Sequence, residues 1–312
     1  MATLSEFLEE WHSDDEYVVA HTSGSTGTPK EIRLPKSDMK VSALATNAFF
    51  GINKDSVLAL PLSLDYIAGK MMAVRADLAG CNLIEFPVSN RVEVSFRIDL
   101  LPVVPSQLQE LINNPKAPSL IRNLLVGGAP LSDSMANELV RCGFNAWLGY
   151  GMTETCSHVA LRKIGDSSVF HAMPGVRFGS DSRGCLIIKS EKYTWGQLTT
   201  NDIVRLEGTD RFEWLGRYDN VVNSGGVKIH PEIFEKEIQK LIPDIPPFYL
   251  VGEPDDKWGQ RLVMVVENAP EGLLDKLKAL LPDRKTMPKR IISVGRLPRT
   301  ASGLKIKRII PD

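Results

Sequence analysis

The sequence has few cysteines, no long apolar run and no recognisable leader. Four cysteines occur in 312 residues, at positions 81, 142, 156 and 185, and none belongs to a CxxC pair. The length of the chain excludes a disulfide-stapled miniprotein, and the cysteine spacing gives no support to a zinc or redox site of the CxxC type. No stretch of about 18 residues is apolar and free of charge, so no membrane insertion is predicted. With no basic segment and apolar core at the N-terminus, we expect a cytoplasmic protein with reduced thiols.

An excess of either charge is also missing. Lys and Arg number 37 against 38 Asp and Glu, which gives a formal net charge of -1. No overall basic field is therefore available to hold nucleic acid or an anionic membrane, and we expect neither as a partner. The hydrophobic fraction of 43% and the charged fraction of 24% are those of an ordinary globular protein, and the length predicts about two domains.

The hydrophobic pattern predicts an α/β fold. Short apolar runs alternate with helical stretches, which favours a sheet with helical crossovers, and shorter β-like pieces with frequent glycine follow at about 165–213. We expect a large N-terminal α/β domain over 1–218, with this small β subdomain, and a small α+β domain over 219–312. The helix after Pro231 should bury a stripe formed by Phe234, Ile238, Leu241 and Ile242.

The strongest local signal is a loop at residues 22–30 (TSGSTGTPK), directly after a predicted strand at 17–20. Glycines allow a tight turn whose N–H groups face an anion, hydroxyls add donors, and Lys30 supplies positive charge. These are the parts of a phosphate-binding loop, although the pattern is not that of a Walker motif. A flexible surface linker is the alternative interpretation.

Further motifs follow in order along nearly the whole chain. They are GGAP at 127–130, YGMTE at 150–154, GRYD at 216–219, SGGVKIHPE at 224–232 and PRTASGLK at 298–305. Together with the loop, this series resembles the adenylate-forming acyl-CoA synthetase family. The resemblance implies an enzyme, an AMP-forming acid–thiol ligase, whose smaller C-terminal domain is mobile and whose ligands are ATP, Mg²⁺ and CoA.

The resemblance also implies roles for individual residues. Lys305, Thr153 and Glu154 would be catalytic, and Glu154 would also bind the metal. Asp219 would be the hinge, and Gly225 and Gly226 would approach CoA. ATP would be bound by Thr22, Ser23, Gly24, Ser25, Thr26, Gly27, Lys30, Gly128, Ala129, Pro130, Tyr150, Gly151, Met152, Asp202 and Arg217.

Each of these motifs has a simpler interpretation. Thr153 and Glu154 are also the residues of a helix N-terminus. Asp202, which follows Asn201 where relatives usually have glycine, suits a turn, and Arg217 suits a surface ion pair. Lys305 lies in a basic tail that would also fit a solvated charged segment. The histidines show no metal spacing, and no GxSxG supports a hydrolase.

The acid that is activated is indicated by a more specific resemblance. Residues 150–158 (YGMTETCSH) and 60–69 (LPLSLDYIAG) are similar to the o-succinylbenzoate:CoA ligases of menaquinone biosynthesis. That acid has two carboxylates, so the non-reacting one needs a cation, and Arg75 with Gly127 would form the acyl site. A surface-paired helix arginine is the alternative for Arg75.

Two features depart from that subgroup. Its usual histidine in the segment 62–69 is absent and Asp65 lies nearby, where an aspartate fits only if it is protonated, directed away or bound to a cation. Only 21 residues precede Thr22, so the N-terminus is short. On the resemblance as a whole, the expected function is that of an o-succinylbenzoate–CoA ligase. The alternatives are a ligase for another acid and a nucleotide-binding regulator with impaired catalysis, and a homodimer is left open.

Overall fold

The structure, a computed structural model, describes residues 2–21, 31–281, 287–299 and 306–311 and shows a mixed α/β fold. The helices are α1 Leu4–His12, α2 Lys36–Phe50, α3 Ile67–Ala79, α4 Leu108–Asn113, α5 Ala117–Leu120, α6 Asp133–Arg141, α7 Pro231–Leu241 and α8 Leu273–Leu280. The strands are β1 Tyr17–His21, β2 Glu31–Pro35, β3 Val57–Leu60, β4 Asn82–Glu85, β5 Leu101–Val103, β6 Leu124–Val126, β7 Ala146–Met152, β8 Ser157–Lys163, β9 Val169–Ala172, β10 Arg177–Ser180, β11 Cys185–Lys189, β12 Gln197–Leu206, β13 Arg211–Arg217, β14 Val222–Ser224, β15 Val227–Ile229, β16 Phe248–Asp255, β17 Gly259–Glu267 and β18 Arg290–Val294.

The chain forms two compact units. The first comprises residues 1–178, 188–198 and 207–212, and the second comprises 179–187, 199–206 and 213–312. The predicted domain boundary at Asp219 stays a prediction.

The first unit is built around a sheet with the strand order β9-β8-β7-β6-β5. Strands β5, β6 and β7 run parallel, whereas β8 pairs antiparallel with β7 and β9 with β8. The short parallel strands are apolar throughout, since Leu124, Val126 and Leu101 are fully buried in one hydrophobic cluster. A strand that is buried on both faces has a continuous apolar sequence, and β6 shows this pattern.

Helix α1 begins as its sequence predicts. Thr3 and Glu6 form the reciprocal capping box, and Phe7 and Trp11 are the buried side chains of its apolar face. The Trp11 indole donates a hydrogen bond of 2.9 Å to Asp77 near the end of α3. Capping and one buried face thus fix this helix on the first unit.

The second unit contains a five-stranded sheet in the order β15-β14-β17-β16, with β18 parallel to β17. Helices α7 and α8 supply Ile238 and Leu277 to its hydrophobic core. The predicted stripe on α7 is confirmed for Ile238 and Ile242, which are buried. It is wrong for Leu241, whose side chain is 41% exposed, because α7 ends at this residue and the chain turns away.

Within the described ranges, no helix is long and apolar enough to cross a membrane.

Helix α3 is fixed by a close backbone contact in its first turn. A Cβ placed on Gly69 would lie 2.3 Å from the Ser63 carbonyl oxygen and 2.9 Å from that of Leu62. An exposed helix position usually gains stability when alanine replaces glycine, but here the added methyl group meets backbone atoms that cannot rotate away. Gly69 is therefore required by packing.

We predict that Gly69→Ala lowers the free energy of unfolding by about 2 kcal/mol and the melting temperature by roughly 5 °C. Differential scanning calorimetry measures both. Gly295→Ala is the matched control, because a Cβ there meets nothing within 4 Å. Equal melting temperatures for Gly69→Ala and wild type would contradict the packing argument.

Candidate functional site

Two predicted ATP-binding segments of the first unit lie at the same edge of its sheet. Gly127, Gly128, Ala129 and Pro130 follow β6, and the YGMTE segment ends β7. These strands are parallel neighbours, with Val126 paired to Leu148, so their carboxyl ends meet. Gly128 has a φ of +80°, which favours glycine at this turn. The carboxyl edge of parallel strands is the usual ligand edge of an α/β sheet.

Tyr150 is half-buried and supported by other aromatic rings of the first unit. Its ring meets Phe212 and Phe170 edge to face at centroid distances of 5.0 and 5.8 Å. Phe170 stacks on Phe212 at 5.3 Å. The supporting rings fix the tyrosine ring, and its flat face suits a purine.

The segment after Tyr150 is a strand end followed by a 3-10 helix at Thr153–Thr155, so the helix-start interpretation holds only for this single turn, and its N-cap is Met152 rather than Thr153. A Cβ on Gly151 would lie 2.0 Å from the Ser157 carbonyl oxygen, which shows how closely the two backbones approach. The buried Thr155 hydroxyl accepts a 2.9 Å bond from the Met152 N–H and donates to the Ser157 carbonyl at 2.7 Å. The turn that presents Thr153 and Glu154 is therefore rigidly held.

Thr153 is half-buried, and Glu154 is exposed. In the part of the chain that the structure describes, no three His, Cys, Asp or Glu side chains cluster as a metal site. A single free carboxylate fits a Mg²⁺ ion that is held mainly by nucleotide phosphates and water rather than by a protein cage.

In the second unit, Asp202 and Arg217 lie together. The Arg217 Nη1 atom is 3.7 Å from Asp202 Oδ1, which also accepts a 3.1 Å hydrogen bond from the Trp214 indole. The Asp202 side chain is only 13% exposed. A carboxylate held in this way is fixed in direction, as binding of two adjacent hydroxyls requires.

The predicted hinge residue contacts the same group. Asp219 Oδ2 lies 2.6 Å from Arg217 Nη2, and Oδ1 accepts a 3.1 Å hydrogen bond from Asn201. Asn201, which stands where relatives usually have glycine, therefore has a side-chain contact that glycine would lack. Asp219 keeps its predicted role as a proposal.

Gly225 and Gly226 connect the antiparallel strands β14 and β15. Their φ values of +57° and +79° form a tight turn that favours glycine at both positions. The Gly225 N–H donates to the Trp258 carbonyl at 2.8 Å, and a Cβ at this position would lie 2.6 Å from the indole ring. The turn thus packs on Trp258, a residue that the motif did not indicate.

Arg75 lies inside the first unit, so the surface-pair interpretation is wrong. Its side chain is 1% exposed, and within the described residues no carboxylate forms a salt bridge with it. Nη2 donates to Ser157 Oγ and Nη1 to Met72 Sδ, each at 3.3 Å, while Nε has no hydrogen-bond partner there. Burial lowers the pKa of Arg75 to about 10, so it remains charged at neutral pH. Within the described part of the chain, the hydrogen-bond partners of this buried cation are a hydroxyl and a thioether, both neutral.

Sequence reasoning missed the residues around Arg75. Ser157 contacts its guanidinium, and buried His158 contacts Thr46 Oγ1 through Nε2 at 3.1 Å. The available signal was the pair Ser157-His158 directly after YGMTETC, since an adjacent polar pair on a buried strand needs partners.

Asp65 resolves one expectation. Its Oδ1 accepts the Ala2 N–H at 3.0 Å, and chiefly this bond lowers the pKa of the carboxyl. The aspartate is therefore ionised and held by the backbone before α1. An aspartate near an anionic substrate has to be protonated, directed away or bound to a cation, and the first of these is excluded for Asp65.

Residues 22–30 and Lys305 lie outside the described residues, so their predicted roles stay predictions. The strands that flank the loop pair antiparallel, with His21 opposite Glu31, which shows that the loop connects a two-stranded hairpin.

Comparison with known proteins agrees with these motifs. Residues 4–178 match the AMP-binding enzyme family. A 2-succinylbenzoate–CoA ligase of Listeria monocytogenes is 26% identical, over 97% of this chain and 71% of the relative. The crystal structure of an acyl-CoA synthetase (AMP-forming)/AMP-acid ligase II-like protein from Dyadobacter fermentans is 33% identical, with a TM-score of 0.65 over 97% of this chain and 91% of that one. The O-succinylbenzoate coenzyme A synthetase of Bacillus subtilis, in complex with ATP and magnesium ion, is 22% identical with a TM-score of 0.77, over 93% and 68%.

The electrostatics of His158 generate a pH prediction. Burial, with a further contribution from the Arg75 charge, holds the pKa of His158 well below its usual value near 6.5. Below pH ~6.5 the unfolded chain binds a proton that the folded chain does not, so this histidine removes stability as the pH falls.

The melting temperature falls when the pH is lowered from 7 to 5, and we predict that this fall is smaller in His158→Gln than in wild type, by about 2 °C or more. His171→Gln, which changes an exposed histidine of β9, should behave like wild type. If thermal scans at the two pH values give the same loss for all three proteins, His158 is not the buried neutral group described above.

Proposed function

Because the chain belongs to the AMP-binding enzyme family, we propose that it is an AMP-forming ligase that activates o-succinylbenzoate and transfers it to CoA. The products are o-succinylbenzoyl-CoA, AMP and pyrophosphate. One observation carries the choice of acid, namely the buried Arg75 guanidinium without a carboxylate partner among the described residues. The relatives named 2-succinylbenzoate–CoA ligase support the same choice.

In the first step, a carboxylate oxygen of the acid attacks the α-phosphorus of ATP, and pyrophosphate leaves with the electrons of the broken P–O bond. Tyr150, fixed by its aromatic neighbours, packs against the adenine, and Asp202 accepts hydrogen bonds from the ribose hydroxyls. The Thr153 hydroxyl faces the α-phosphate. These contacts hold the nucleotide so that the acid meets the phosphorus in line.

Negative charge develops at the phosphate during this attack. The loop residues 22–30 bind the β- and γ-phosphates through backbone N–H groups and Lys30, and Lys305 neutralises charge at the α-phosphate. The exposed Glu154 carboxylate would be the protein ligand of a Mg²⁺ ion bound together with ATP. The ion would supply further charge stabilisation there.

In the second step, the CoA thiolate attacks the acyl carbon, the bond to the AMP oxygen breaks, and AMP leaves. The Gly225-Gly226 turn has no side chain to obstruct the pantetheine arm. The domain division at 218/219, with Asp219 as the hinge between steps, is part of this proposal, as is a cytoplasmic location.

The non-reacting carboxylate of the acid binds Arg75. A guanidinium matches a carboxylate with two parallel N–H bonds, and Arg75 retains an unpartnered Nε beside Nη2. Binding of a substrate carboxylate here would pair the buried charge of Arg75, whose partners are otherwise weak and neutral.

The proposal is tested with pyrophosphate exchange into ATP across a panel of carboxylates, with Lys305→Ala as the control for adenylation. Exchange should depend on o-succinylbenzoate and fall by ~100-fold or more in Lys305→Ala. Exchange with a different acid would identify a ligase of other specificity. Absence of exchange with every acid would favour a nucleotide-binding regulator and overturn the proposal.

We predict that Arg75→Met lowers kcat/KM for o-succinylbenzoate by roughly 100-fold while leaving KM for ATP unchanged, because the distal carboxylate loses its charged partner. Methionine keeps most of the packing, and removal of an unpaired buried charge should not lower the melting temperature. Arg91→Met, at an exposed position, is the matched control. Wild-type kinetics in a folded Arg75→Met enzyme would exclude Arg75 from the acyl site.

A further inference from the structure

The chain bends sharply between the YGMTE turn and β8, at two residues with positive φ. Cys156 has a φ of +54° and Ser157 a φ of +92°, a region that favours glycine. Such a conformation is strained in a residue other than glycine and persists only where surrounding contacts enforce it. A serine at this position therefore calls for an explanation from its side chain.

Hydrogen bonds from both sides enforce the bend. The Ser42 hydroxyl donates to the Cys156 carbonyl at 2.8 Å, and Thr155 Oγ1 donates to the Ser157 carbonyl at 2.7 Å. Both donors come from buried side chains. With its backbone fixed in this way, Ser157 directs its hydroxyl toward Arg75 Nη2, at 3.3 Å.

The hydrogen-bond partners of His158 indicate which of its ring nitrogens carries the hydrogen. Thr46 Oγ1 donates its only hydrogen to the Ser42 carbonyl at 2.9 Å, which leaves a lone pair facing His158 Nε2 at 3.1 Å. Nε2 therefore carries the hydrogen, and neutral Nδ1 is an acceptor that lies 3.5 Å from Ser157 Oγ. A protonated ring would place a second positive charge beside buried Arg75, so the neutral form is retained.

We propose that Ser157 is a positioning residue whose hydroxyl, oriented by neutral His158, holds the Arg75 guanidinium so that the acyl site selects an acid with a second carboxylate. We name Thr46, His158, Ser157 and Arg75 the Arg75 relay. The hydroxyl proton points to Nδ1, so an oxygen lone pair faces Nη2 and fixes the guanidinium plane. This inference rests on the proposed function, because it explains how that site chooses its acid.

The test compares two acids that differ by one carboxylate, o-succinylbenzoate and 4-oxo-4-phenylbutanoate. Ser157→Gly removes the hydroxyl and suits the positive φ, so its melting temperature should stay within about 3 °C of wild type. We expect the ratio of kcat/KM for the first acid over the second to fall about tenfold, through KM, with KM for ATP unchanged. Ser190→Ala is the matched control, since this buried hydroxyl donates to the Gly175 carbonyl at 2.7 Å and accepts the Lys192 N–H at 3.2 Å, and neither partner belongs to the Arg75 relay.

A second measurement does not depend on activity. Nitrogen-15 NMR of histidine-labelled protein, with His158 assigned from His158→Gln, should show the neutral tautomer protonated on Nε2 at pH 7. A hydrogen on Nδ1, or a doubly protonated ring, would overturn the relay.

The two proposals fail separately. If Ser157→Gly keeps the wild-type ratio while Arg75→Met loses it, the relay is wrong and the proposed function stands. If wild type does not use o-succinylbenzoate at all, the proposed function is wrong. If the ratio falls in Ser157→Gly and the Nε2 tautomer is observed, both are supported.

Discussion

A close backbone approach in the first unit, between Gly151 and the Ser157 carbonyl, determines the geometry of the candidate site. A Cβ at position 151 would lie 2.0 Å from that oxygen. Because the two segments touch, the pairing of β7 with β8 shifts register between Tyr150 and Gly151, and the intervening turn projects from the sheet edge. On one side, the turn carries Thr153 and Glu154, which are proposed to meet the nucleotide. On the other, it directs Ser157 toward Arg75. One contact therefore links the part of the site proposed for ATP with the part proposed for the acid.

The pairing of charges differs sharply between Arg75 and other arginines of the chain. Arg217 pairs with Asp219, Arg290 with Glu253 and Arg308 with Glu235. Arg75, by contrast, is buried among a hydroxyl, a thioether and a neutral imidazole. Burial of an unpaired charge opposes folding, so a charge that is kept in this state is typical of a functional site. The near-zero net charge of the chain is no obstacle to the proposed function, because the proposed anion binding depends on single placed cations.

Sequence predicted the local elements well where pattern and capping chemistry agree. Thr3 and Glu6 form the capping box of helix α1, the apolar run Val57–Leu60 forms β3, and α2 ends before Gly51, which is in the left-handed conformation. It failed where tertiary contacts decide. The YGMTE segment has the residues of a helix start, yet its backbone pairs with β8 and ends a strand. The exposure of Leu241 depends on where the chain turns after α7, which periodicity does not encode.

The candidate site was predictable only as separate motifs. The motifs identify the residues that touch the nucleotide in the family, but the partners of Arg75 come from α2, α3 and β8, far apart in sequence. No spacing rule brings Thr46, Arg75 and Ser157 together, because their proximity arises from the packing of these elements. For the same reason, the burial of Arg75, which excludes a surface ion pair, was visible only in the fold.

Transfer of oxygen-18 tests the central claim, that this chain activates a dicarboxylic aromatic acid through its adenylate. The carboxylates of o-succinylbenzoate are labelled with oxygen-18, and the enzyme is supplied with ATP, Mg²⁺ and CoA. The masses of the products are then measured by mass spectrometry. Attack of a carboxylate oxygen on the α-phosphorus predicts one labelled oxygen in AMP and none in pyrophosphate. Unlabelled AMP, or label released in inorganic phosphate together with ADP, would contradict the claim.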